Sequence, residues 1–141
     1  MKQQFDLKNA ELSMVYNAVY DIPVVNSKIN RGKFKLLTLI KKKVDEYQDD
    51  LDKILQKYAL KDAEGNFLPG QNGKKYKMPE DTKEADEELK ELQKETVTIV
   101  YGEYSNRIKD IVDFLDSYEG QLDGKTGEGI YTLLEAIEEG K

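Results

Sequence analysis

The sequence contains no cysteine and no histidine. Without cysteine there is no disulfide framework, no thiolate nucleophile and no cysteine-based zinc site. Without histidine the commonest general base and the commonest transition-metal ligand are gone. Any catalysis would fall to carboxylates, Lys, Tyr, Ser or Thr. No apolar run approaches the ~20 residues that a membrane-spanning helix needs. The opening Met1-Lys2-Gln3-Gln4-Phe5-Asp6 has no apolar core of a secretory signal. The expectation is a cytoplasmic protein with no membrane partner.

What is present is a helical stripe. Leu37, Ile40, Val44, Tyr47, Leu51, Ile54 and Tyr58 recur with gaps of 3, 4, 3, 4, 3 and 4. A helix turns ~100° per residue, so all seven fall on one face. A helix over 27–59, capped by Asn26 or Ser27, would be ~50 Å long and would organise a chain of 141 residues. That length suits one domain with a core of its own. Leu12, Val15, Tyr16 and Val19 form a shorter one-faced helix after a cap at Asn9, stopped by Pro23. Ala85, Leu89 and Leu92 mark a short acidic helix entered through Asp81 and Glu84. Tyr104, Ile108, Ile111, Leu115 and Tyr118 mark another, the natural partner of the long stripe, and Ile130, Leu133, Leu134 and Ile137 a last one.

Two stretches read as strands: 3–7, where Phe5 and Leu7 alternate with polar residues, and the β-branched run 96–101. They are candidates to pair with each other. Between Lys61 and Asp81 five turn-forming residues (Gly65, Pro69, Gly70, Gly73 and Pro79) break the helical period, and 66–68 with 75–78 can form a projecting hairpin. The expected fold is mainly α with a small β component: one domain, 1–141, whose long central helix is packed by shorter helices.

The net charge of −6 is unevenly spread, since residues 22–44 hold seven basic side chains and no acidic one. Four of them, Lys28, Arg31, Lys35 and Lys42, fall within a ~60° arc opposite the apolar stripe. Cations in the first turns oppose the helix dipole, which favours acids there. This face reads either as solvated surface or as a docking site for phosphate or an acidic partner. Asp110, Asp113, Asp116 and Glu119 recur every three residues, on the expected wet side of their helix. From Asp110 to Glu139 there are nine acids and one base, Lys125. The acidic surface could attract a basic groove on another protein, or pair with the basic face within the molecule or between copies.

Two motifs are discounted. Gly124-Lys125-Thr126 resembles the end of a phosphate-binding loop, but the required glycine is displaced by one and a helix precedes it. Asp62-Ala63-Glu64-Gly65-Asn66 resembles a calcium loop, but the glycine falls at the fourth position instead of the sixth. No catalytic, cofactor-binding or metal-binding residue is assigned, and no cofactor is expected.

The order of features resembles a family of small proteins of unknown function encoded by phages and prophages of Gram-positive bacteria. The resemblance is carried by 5–12, then 27–37, then 58–66 and the glycine-rich segment after them. It implies an origin and a bacterial host cell, not a mechanism. The functional expectation is a non-enzymatic accessory protein that binds a host or phage protein, as an inhibitor acting through its acidic surface. The alternatives are a nucleic-acid binder using the basic face of 27–43, or a virion or assembly component.

Overall fold

The computed structural model describes residues 3–141. Strand β1 (Gln4–Lys8) leads through a 3-10 turn at Asn9–Glu11 into helix α1 (Leu12–Asp21). Helix α2 (Ser27–Tyr58), α3 (Lys83–Lys94), strand β2 (Thr96–Val100), α4 (Ser105–Asp116) and α5 (Gly124–Glu139) follow. The fold is mainly α with a small β component, as the periodicity predicts. The described residues up to Asp45 form one compact unit together with Thr96–Lys141, and Glu46–Glu95 form another.

In the first unit β1 and β2 pair antiparallel, Phe5 opposite Ile99 and Leu7 opposite Val97. Alternation places Phe5, Leu7 and Ile99 inward, and all three are buried. The expected pairing of the two sequence-distant strands is therefore present. The core also holds Leu12, Val15, Val19, Leu36, Leu37, Ile40, Ile108, Ile111, Ile130 and Leu133, among others.

Two glycines set how closely helices approach. A methyl group at Gly32 would run into the Arg107 carbonyl of α4, and one at Gly129 into Ala18 and the Met14 carbonyl of α1. Helix α2 starts where the Asn26 carboxamide accepts the amides of Lys28 (2.9 Å) and Ile29 (3.1 Å), supplying partners the first turn otherwise lacks. Asn9 is buried inside the 3-10 turn. It is not the cap of α1, and the Glu11 carboxylate instead accepts the Lys8 amide at 2.9 Å.

In the second unit the last turns of α2 meet segment 61–80 and α3. The Tyr76 hydroxyl donates to Asp52 Oδ1 at 2.9 Å, and Gln56 Nε2 donates to Asp52 Oδ2 and to the Tyr76 hydroxyl, each at 2.9 Å. Glu88 Oε1 accepts from Lys57 Nζ (2.7 Å) and from the Tyr58 hydroxyl (2.6 Å), tying α3 to α2. The hairpin expected at 66–78 is reduced to a bridge between Pro69 and Tyr76 and a bond from the Lys77 amide to the Leu68 carbonyl (2.9 Å). Leu60 closes it into a ring, its amide donating to Lys77 and its carbonyl accepting from Leu68. Leu51 and Ile54 are half-buried and lie in this unit, so they are not the core residues that the stripe suggests. The stripe is core as far as Val44, at the C-terminal limit of the first unit.

Candidate functional site

The local chemistry starts with Lys33. It stands four residues before Leu37, in the apolar phase of α2, and is only 7% exposed. A buried ammonium is costly unless it is hydrogen-bonded. Lys33 Nζ donates to the carbonyls of Tyr20 and Ile22, each at 2.8 Å. These carbonyls belong to the last turn of α1 and its C-cap, where the helix carries partial negative charge. Burial pushes the Lys33 pKa down, and the charge of Asp21 opposes that shift in part.

Over this cation sit two exposed aromatics. Lys33 Nζ lies 5.6 Å from the Tyr20 ring centroid and 5.7 Å from that of Phe34, within cation–π range. Tyr20 is 55% exposed and Phe34 48%. Their rings meet edge to face at 6.5 Å, and Tyr16 stacks on Tyr20 at 6.3 Å. The cluster borders a shallow cleft between α1 and α2, lined by Tyr16, Phe34, Leu37, Thr38, Lys41, Lys42 and Asp45. Two exposed rings over a buried cation, with half-buried Tyr16 stacked on one of them, make an apolar platform with a polar rim.

The predicted basic residues differ in their surroundings. Lys28 pairs with Asp110 of α4 at 3.8 Å. Lys35 Nζ sits 4.1 Å over the Tyr104 ring. Lys41, one residue before the predicted Lys42, pairs with Asp45. Arg31 and Lys42 are exposed, and Lys42 lines the aromatic cleft. Three of the four predicted acids, Asp110, Asp113 and Asp116, lie on α4 and differ in their surroundings. Asp110 is half-buried against Lys28, and Asp113 pairs with Lys109 at 2.6 Å on the same helix. Asp116 is the last residue of α4, and Glu119 falls beyond the helix, so it does not share the helical face the spacing implied. Among the described residues no group of three or more acids could hold a metal ion. No helix among them is long and apolar enough to cross a membrane.

The discounted motifs have simple local geometry. Gly124 begins α5 after a loop that follows α4, with no strand before it. The Asp62 carboxylate accepts the amides of Glu64 (2.9 Å) and Asn66 (3.0 Å), which makes a tight turn at Gly65, whose φ is +87°.

Sequence periodicity missed Lys33 and the platform it supports. The signal for Lys33 was its phase, since it shares the stripe's angular position on α2. Tyr20 and Phe34 carried no such mark, because exposure of a ring is decided by which neighbours fold over it.

No curated protein and no solved structure matches the chain. A family model described as a protein of unknown function, DUF1617, matches residues 3–141, and the chain therefore belongs to the DUF1617 family.

Proposed function

We propose that this chain is a non-enzymatic binding protein that docks a protein partner on the α1–α2 face. The observation that carries this reading is the platform of exposed Tyr20 and Phe34 over buried Lys33, with half-buried Tyr16 stacked on Tyr20. Aromatic residues are enriched in interface cores and hot spots, where they bury large area at small entropic cost. Lys42 lines the cleft and exposed Arg31 shares its side of α2, and this positive charge favours a partner of acidic character. The acidic helix α4 supports an inhibitory interface less well, because among the described residues none of the large exposed apolar or aromatic side chains lies on it. A nucleic-acid reading of 27–43 is weakened because Lys33 is buried on backbone carbonyls and Lys35 lies over the Tyr104 ring, which leaves fewer cations of this segment to displace phosphate counterions. The resemblance to phage and prophage proteins supports a partner inside a bacterial host cell, either a host factor or a phage protein.

The test is capture from host lysate by the parent and by Tyr20→Ser and Phe34→Ser variants, with their melting curves recorded alongside. Loss of the same captured protein in both variants, at unchanged stability, is the expected result. Equal capture by parent and variants refutes the assignment of this face. Salt-sensitive binding of a single-stranded oligonucleotide, with no protein captured, would favour the nucleic-acid reading instead.

A further inference from the structure

Helix α5 carries a surface opposite in sign to the docking face. Glu128, Tyr131, Glu135 and Glu138 follow one another at gaps of 3, 4 and 3, which aligns them on one side. Ile130, Leu133 and Ile137 occupy the opposite side and are buried. Tyr131 is 65% exposed, a large aromatic standing among carboxylates. Glu128 faces Lys125 at 3.8 Å and Glu138 faces Lys141 at 3.3 Å, both exposed pairs of the kind that contribute little and exchange readily.

We infer that a second copy of this chain seats the Glu128–Tyr131–Glu135 stripe of its α5 in the α1–α2 cleft, an inference that rests on the docking reading above. The two surfaces are complementary in charge: Lys42 lines the cleft and exposed Arg31 shares its side of α2, Lys41 pairs with the cleft's one acid, Asp45, and the other surface carries Glu128 and Glu135. They are alike in offering an exposed ring, Phe34 on one and Tyr131 on the other. Each copy carries both surfaces, so a copy that receives a stripe also has one to give. When no other partner is present, the second copy covers the aromatic platform.

Sedimentation equilibrium over a concentration series, at low and high salt, tests this on the full chain. Three variants are compared with the parent: Arg31→Glu with Lys42→Glu, Glu128→Lys with Glu135→Lys, and Tyr131→Ser. The parent is expected to associate reversibly and less tightly at high salt. Each double reversal should weaken association by at least about tenfold, as close charge pairs across interfaces do. Mixing the two reversed variants should restore it, since the positive face of one then meets the negative stripe of the other. Tyr131→Ser should weaken association without altering any charge. A parent that sediments as a single chain at every concentration overturns the inference. So does a mixture that stays monomeric while both variants melt like the parent. A monomeric parent that binds a labelled single-stranded oligonucleotide overturns it in favour of nucleic acid. If the parent is monomeric but Phe34→Ser still loses its captured protein, only the second-copy inference falls and the docking reading stands.

Discussion

The Lys33 ammonium and the Ile22 carbonyl meet at 2.8 Å, and that bond joins the end of α1 to the second turn of α2. A second bond to Tyr20 fixes the residue that heads the exposed platform. Lys33→Met keeps most of the side-chain volume and removes both donors. It leaves two carbonyls unpaired, at about 1–3 kcal/mol each, although losing a buried charge offsets part of that. The expected net loss in urea unfolding is ~1–3 kcal/mol. Unchanged stability would mean that the bonds do not hold α1 in place.

The lowered pKa of Lys33 has a sign that can be checked. Its charged form is disfavoured by burial, so stability should rise as pH climbs from the lowered folded value toward the ordinary lysine range. In an NMR titration the Lys33 side chain should deprotonate before the exposed lysines. Titration together with them would contradict its burial.

Gly32 offers a test in which the usual rule reverses. Glycine to alanine inside a helix ordinarily stabilises by about 1 kcal/mol. At this position the added methyl meets backbone of α4, which cannot rotate away. Gly32→Ala should therefore destabilise by ~1–3 kcal/mol, the usual cost of overpacking. A gain in melting temperature would show that α2 and α4 are not so close.

Leu37 and Leu51 belong to one periodic stripe but not to one environment. Leu37 is buried and Leu51 half-buried. Leu37→Ala should cost about 2–5 kcal/mol, with the cavity included. Leu51→Ala should cost clearly less, because part of its surface is already in water. Equal losses in urea unfolding would place Leu51 in a core.

Glu88 ties α3 to α2 and should make the second unit acid-sensitive. Hydrogen bonds from Lys57 and then Tyr58 hold its pKa below the ordinary carboxylate value. The stabilisation is present above the unfolded pKa of about 4.3 and disappears as pH falls through the lowered folded value. Hydrogen exchange in α3 across an acid series should show this loss in the parent and a flatter profile in Glu88→Gln. Parallel profiles would rule out Glu88 as its source.

The sequence reveals the elements better than it reveals the surface. The 3.6-residue period located α1, α2, α3, α4 and α5, and strand patterning suggested that the two distant strands pair, while the register of Phe5 opposite Ile99 is read only from the structure. The same period could not say where burial along α2 ends, since Leu51 and Val44 look alike in sequence and differ only in what packs over them. The charge count found a basic segment but could not tell that Lys28 meets Asp110 or that Lys35 covers Tyr104. The platform of Tyr16, Tyr20 and Phe34 depends on two helices meeting, and no local pattern records that.

Thr38 is exposed and lines the aromatic cleft, so a photo-crosslinking residue at that position tests the docking face directly. Crosslinking is run in host cells expressing the full chain, with the same probe placed at Glu119 as the reference. A defined protein adduct at position 38, lost when Phe34 is changed to Ser and absent at 119, is the predicted result. Adducts of equal yield at both positions, unaffected by Phe34→Ser, would contradict a binding role for the α1–α2 face.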